Sequence, residues 1–451
     1  MEKTLERAGV LKQKLLDFVL EAEGDLAISL ETYCAEHLSR FAKSHYQGNG
    51  PTDLVVDRFL SAGRIGDKTP LQLFLESAPE LEERDRNLVM SWQQSFTGLF
   101  CVVRVSPDGV ELRNWMTAKH YNVKSNGLQS PEQLARLKEE EIVLTRIAPV
   151  TPTDWMFSNA LILLGKLGKP KLAVAIGNFK QQFEEDLYGD APELLEEAWN
   201  SVEQYHREFV DFFGSSEVTL PGYQANQKLK AFQEVMAEHR LAAMGINGTE
   251  SFEALAEEAG VSKAEITEVA ASAGVGKAAV DELFKSRPPD GKTPLMAPPQ
   301  VDLPDRLKKA EALTILTHPR WGQMLLPTYH RIEKLLEAED WQSVENGKNL
   351  VLQSLEDAEM NAYVWKHLAE QYPIQLEAVL KAVLDRPHFN LSQDLDKLLQ
   401  EFRKPLSPKL PETASVPLHL HTLFQDAVKE VHKSQSKQKV KQKTGTGFKI
   451  R

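Results

Sequence analysis

Two cysteines in 451 residues, Cys34 and Cys101, are too few for a disulfide framework and suit a reducing compartment. Long apolar runs are missing as well. The stretch Ala160 to Leu164 falls far short of the roughly 18 residues that a membrane-spanning helix needs. The first residues, Met1-Glu2-Lys3-Thr4, lead into a mixed-charge helix without a signal-peptide core, so the expected location is cytoplasmic, or the stroma in a plastid-bearing organism. There is no Gly-x-Ser-x-Gly elbow, no His-Glu-x-x-His and no Gly-x-Gly-x-x-Gly opening a helix. Two partial phosphate loops fail on inspection: Gly291-Lys292-Thr293 has Ser286 where the first glycine belongs, and Asp67 sits before Lys68 where it would repel a phosphate. Metal ligands are equally sparse. Cys34-x-x-His37 lacks a second pair, and His330 and Glu333 share a helix face without the paired Glu-x-x-His pattern of a carboxylate-bridged site. No catalytic residue, cofactor or metal is therefore assigned.

What is present is an ordinary globular composition, 42% hydrophobic and 26% charged, with a length that implies two to four domains. Charge is segregated along the chain. Residues 429–451 carry a net +7, whereas the remaining body carries −19. Lys437, Lys439, Lys441 and Lys443 alternate with other residues, followed by Lys449 and Arg451. Such a stretch buries no apolar area, is expected to be disordered when free, and could neutralise phosphates or dock on an acidic protein surface. Its single aromatic residue, Phe448, is a poor platform for base stacking. A second run, Glu184 to Glu203, is acidic without an intervening base and reads as a solvated helix face.

Periodicity divides the chain. Residues 1–97 read as helical, with Leu11, Leu15, Leu16 and Val19 at helical spacing and Thr69-Pro70 opening a helix. A small antiparallel β module follows at about 98–165: Leu99 to Val105, a turn at Pro107-Asp108-Gly109, Val110 to Trp115, Tyr121 to Val123, Ile142 to Val150 and Trp155 to Leu163, suggesting a small barrel or curled sheet. Residues 166–245 return to helices. Two proline-rich linkers, 288–304 and 404–417, flank a C-terminal helical domain at 305–403, and 418–451 form a helix and the basic tail. The expected fold class is mainly α, a multidomain helical protein with one small β module.

Residues 255–268 and 269–282 repeat each other, with seven of fourteen positions identical. Each copy resembles part of a helix-turn-helix, and the tandem occupies 246–287. The second copy, Gly274-Val275-Gly276-Lys277, also resembles a helix-hairpin-helix hairpin, in which backbone N–H groups would hold a phosphate. Six glutamates between Glu250 and Ser272 oppose DNA contact by the first copy, so a structural or protein-binding helical bundle leads. Among the seven tryptophans, Trp321 in His318-Pro319-Arg320-Trp321-Gly322 is the candidate for an exposed binding anchor.

The run Asp57-Arg58-Phe59-Leu60, then Lys68 to Glu76, then Gly98-Leu99-Phe100 into the Pro107-Asp108-Gly109 turn resembles the central region of bacterial proteins that in some cases end in a Cys-rich SEC-C metal motif. The whole chain is also similar to cyanobacterial or plastid-type proteins. The resemblance implies a fold unit over 57–165 and no activity. The tail here has lysines and no cysteine, so no zinc role is carried over. The leading functional expectation is a non-enzymatic interaction, assembly or regulatory factor that binds a protein partner through helical surfaces and the basic tail. The alternative is a DNA- or RNA-binding regulator using the tail with Gly274, Gly276 and Lys277.

Overall fold

The computed structural model describes residues 2–41, 50–107, 109–129, 131–243, 296–297 and 303–444. The tandem repeat, with Gly274, Gly276 and Lys277, lies outside the described residues, as do Lys449 and Arg451. The chain divides into two compact units, one formed by residues up to Leu195 together with His419 onward, the other by Glu196–Leu418.

The first unit begins with five helices, α1 (Glu2–Leu20), α2 (Asp25–Phe41), α3 (Gly50–Ala62), α4 (Pro70–Ser77) and α5 (Glu83–Ser91). Local chemistry sets the start of α4. Thr69 Oγ1 accepts from the Gln72 N–H at 3.2 Å, the Gln72 side chain accepts from the Thr69 N–H at 2.9 Å, and Pro70 occupies the first turn where its missing N–H costs nothing. The periodic leucines of α1 meet Phe59, Leu71, Phe74 and Trp92 in a helical core. At Gly9 this helix runs so close to the loop after the third strand that a Cβ would sit 2.0 Å from the Asn126 carbonyl oxygen, so only glycine fits.

Strands β1 (Phe96–Ser106), β2 (Gly109–Asn114), β3 (His120–Lys124), β4 (Ile142–Pro149) and β5 (Asp154–Gly165) close into a barrel in the order β1-β2-β3-β5-β4. A register shift between Val102 and Arg104 bends β1, so that its first half pairs with β4 and its second half with β2. Closure depends on a parallel pair, β3 with β5. A short helix, α6 (Pro131–Ala135), joins β3 to β4. Phe96, Phe100, Leu112, Tyr121, Val143, Ile147 and Phe157 fill the interior. Strand β4 is buried along its whole length because its other face, through Ala148, joins the helical core. After β5 come α7 (Lys169–Gln182), a 3₁₀ turn at Glu184–Asp186 and the start of α8 (Pro192–Phe213).

The second unit holds most of α8, β6 (Glu217–Leu220), α9 (Gly222–Ala243), β7 (Met296–Ala297) and α10 (Asp305–Lys308). Next are β8 (Leu313–His318), β9 (Gly322–Leu326) and five helices, α11 (Tyr329–Glu337), α12 (Gly347–Glu356), α13 (Ala362–Gln371), α14 (Pro373–Val383) and α15 (Leu391–Glu401). Strand β10 (Val416–Pro417) pairs with β7, and β6, β8 and β9 form a three-stranded sheet in that order. The five helices enclose Trp365, Leu335, Leu355 and Leu368, all fully buried.

The expectation of a mainly α protein with one small β module is corrected by these sheets. The β module is a closed five-stranded barrel, and a second sheet stands inside the region read as helical; the described residues are 56% helix and 17% strand. Strand β8 escaped because Leu313-Thr-Ile-Leu-Thr-His is too short to separate alternation from helical spacing, and its place in a sheet depends on β6, almost a hundred residues earlier. The tail also differs. Helix α16 (Leu418–Thr444) continues through positions 437, 439, 441 and 443, where disorder was expected. The buried Leu420, Leu423 and Ala427 supply the nucleus, and lysine and glutamine propagate a helix already started.

Candidate functional site

In the first unit, the outward positions of β2 and β3 are Glu111, Arg113, His120, Asn122 and Lys124. Their charges are largely answered within the barrel. Glu111 pairs with His120 at 2.9 Å and Arg104 at 3.4 Å, and Lys124 pairs with Asp154 at 3.3 Å. The ring nearest this face is Trp115, over which the Arg113 guanidinium lies at 4.5 Å. Helix α16 starts at the same place: His419 Nε2 donates to the Trp115 carbonyl at 2.6 Å, with burial pulling the imidazole pKa down. The basic helix therefore springs from the β2–β3 connection, and Lys169 pairs with Asp426, two residues before Val428, at 2.6 Å.

The acidic run read as a solvated helix face is partly structural. Asp190 Oδ2 accepts from Tyr121 OH at 2.5 Å, Thr117 Oγ1 at 2.8 Å and Asn114 Nδ2 at 3.0 Å, while Lys119 Nζ reaches its carbonyl at 2.6 Å. Burial, then the bond to Asp190, drives the Tyr121 phenol pKa upward. Asp186 and Glu185 meet Arg58 at 3.1 and 2.6 Å. The segment is thus a strap pinned to the barrel by carboxylates. Replacing Asp190 with alanine strands three donors and should cost roughly 2–4 kcal/mol, with Asp190→Asn costing less. Hydrogen exchange on β2 and β3 checks this, because faster exchange should appear there first.

The second unit carries a group of titratable side chains that includes a shifted carboxyl, Glu333. It forms where β6 meets α11 and α13. Glu217 Oε2 lies 3.0 Å from His367 Nε2 and 3.5 Å from Tyr329 OH, and Gln371 lies 3.1 Å from the same imidazole nitrogen. Glu333 is in hydrogen-bond range of Glu217 and 3.7 Å from His330. Burial first, then the charges of Glu217 and Glu337, raise the Glu333 pKa to about 7, against a lowering influence of His367. Tyr372 donates to Glu337 at 3.0 Å, and its phenol is pushed up to about 12 by burial and that bond. Tyr363 stacks on His367 at 5.7 Å. Chemically, the group can hold one proton between two carboxylates near neutrality. Among the described residues, no cluster of three or more His, Cys, Asp or Glu has metal-binding geometry.

The sequence reading saw His330 and Glu333 as helix neighbours and missed the rest. Glu333 and Glu337, and His367 and Gln371, stand at one-turn spacing, which was a readable signal. Glu217 falls in the region 166–245 that was read as helical. Trp321 is half-buried against the core of the second unit, its backbone N–H donating to His318 Nδ1 at 3.2 Å. Positions 437, 439, 441 and 443 are together on α16, apart from both clusters in sequence. No protein-family model matches the chain, and no curated protein or solved structure matches it.

Proposed function

We propose that the chain is a non-enzymatic interaction or assembly factor that binds a protein partner through helical surfaces, with the basic end of α16 as the docking element. The supporting observation is the surface of that helix. Leu420, Leu423 and Ala427 are buried and hold it, whereas Val428 and Val431, next along the helix, are 56% and 40% exposed directly before the lysine positions. Exposed apolar positions followed along the same helix by lysine positions are the pattern by which a helix lies in an acidic-rimmed apolar groove. A phosphate backbone would ask only for the cations. The body, at −19, attracts the same lysines, so an acidic partner has to compete with it for them.

The second reading, nucleic-acid binding, is favoured by the closed five-stranded barrel, an architecture that some oligonucleotide-binding proteins use, and by the origin of α16 at the β2–β3 connection. Fold alone carries little weight for function, and the β2–β3 face lacks the rings on which bases stack apart from Trp115.

One experiment separates the two. Full-length nuclease-treated protein is compared with the Lys437→Gln, Lys439→Gln, Lys441→Gln, Lys443→Gln variant and with Val428→Ser, Val431→Ser, in affinity capture and in binding to single-stranded RNA and DNA across a salt series. Protein partnership requires that both variants lose the captured partner. Nucleic-acid binding requires that the lysine variant lose up to roughly three units of the log–log salt slope while the valine variant is unchanged. Capture unaffected by either variant removes α16 from the mechanism.

A further inference from the structure

We infer that Glu217 and Glu333 form a proton-held latch, which seats the edge strand β6 on helices α11 and α13 and loosens when the shared proton leaves. The geometry makes Glu217 a fastening point. Strand β6 is four residues long and lies at the edge of its sheet, paired along one side with β8. Its first residue, Glu217, sends its side chain to three others: Tyr329 and Glu333 on α11, and His367 on α13. Tyr329 is fully buried and His367 mostly so, so these contacts reach the core of the helical domain.

Two carboxyl groups within hydrogen-bond range can bond to each other only if one is protonated. When both ionise, the same contact becomes a repulsion, and Glu337 on the next turn of α11 adds to it. The facing groups are Glu217 on β6, His330, Glu337 and Tyr329 on α11, His367 and Tyr363 on α13, and Tyr372 just after it. His367 is the group that offsets the negative charge; the remaining carboxylates and phenols do not. The sign follows from the raised affinity of Glu333 for its proton in the folded state. The latch is fully closed below the ordinary glutamate range and is lost as pH rises through about 7.

The test is hydrogen exchange of the full chain, corrected for the intrinsic pH dependence of amide exchange, on peptides covering 217–220 and 329–337. Between pH 6 and pH 8 the protection of these peptides should fall about tenfold, the change expected for a carboxyl moving between these two environments. Peptides from the first unit, such as β4, serve as the internal control and should not follow. Glu333→Gln keeps a hydrogen bond to Glu217 without a titrating proton, and should abolish the fall. Glu217→Gln removes the opposing charge and should also abolish it, which keeps the inference testable if Glu333→Gln does not fold. Glu337→Gln should leave most of it. Protection that does not change in the parent protein, or a tenfold fall that survives in either glutamine variant at 217 or 333, overturns the latch.

Discussion

Replacing Asp57 with alanine should destabilise the first unit by about 3–5 kcal/mol, the cost of leaving a buried charge without its partner. The Asp57 side chain has no exposure and that of Lys12 3%, and they meet at 2.6 Å. Burial lowers the Lys12 pKa, with Asp57 opposing that shift, so the ammonium depends on this one carboxylate. Once Asp57 is gone, Lys12 retains the face of Trp92 at 5.5 Å, a contact worth about 2 kcal/mol, too weak to replace the carboxylate. Ser158 Oγ, bonded to Asp57 at 3.0 Å, loses its acceptor as well. The double variant Lys12→Met, Asp57→Leu should recover most of the loss and could exceed the parent, because well-packed apolar residues often equal or better a buried ion pair. Denaturant unfolding checks both, with hydrogen exchange on α1 and α3 to assign the transition to this unit. A single substitution costing under 1 kcal/mol would show that water reaches the pair.

The second large effect is expected at Arg146. From β4 its guanidinium reaches Ser61 Oγ on α3 at 2.5 Å, the Ser95 carbonyl at 2.7 Å, Thr97 Oγ1 on β1 at 3.3 Å and Asp186 at 3.4 Å. One side chain, 3% exposed, thereby ties the barrel, the helical layer and the strap together. Arg146→Met preserves volume and removes every one of these donors. It should cost about 3–5 kcal/mol and leave Asp186 with Arg58 and the Thr97 N–H. Loosening should spread into 183–191, so limited proteolysis in that segment should accelerate before the unit unfolds. Arg146→Lys should recover only part of the loss, because an ammonium cannot reproduce a planar fork aimed at several acceptors. Equal stability of the lysine and arginine forms would mean that charge, not geometry, is what the site uses. Asp57 and Arg146 lie close enough for Arg146 to bear on Lys12, so their effects should not add.

The two networks share a property that explains why they were invisible in the sequence. Each joins residues distant along the chain: Lys12 with Asp57 and Ser158, and Arg146 with Ser61, Ser95 and Asp186. Read alone, Asp186 and Asp190 are members of an acidic run, and nothing local distinguishes a carboxylate that pins a strap from one that faces water. Arg146 stands in an apolar strand, where an arginine is a visible oddity, but its partners are not.

The helices of the first unit were determined by local sequence. The leucine spacing of α1, the Thr69–Gln72 box with Pro70, and the Pro107–Gly109 turn each act within a few residues, and the structure uses all of them. The charge segregation that motivates the proposed docking helix is likewise a property of composition and order alone. Tertiary structure decided the rest. Barrel closure requires β3 to lie parallel to β5, a pairing with no turn between the strands to announce it. Whether 313–318 is strand or helix was settled by the arrival of β6. Glu217, Glu333 and His367 became one group only because a sheet edge and two helices pack together there. Hydrogen-bond spacing and side-chain periodicity act over a few residues and can be read from the chain. The burial that raises a carboxyl's proton affinity, or makes an ion pair costly to break, exists only after distant segments have excluded water together.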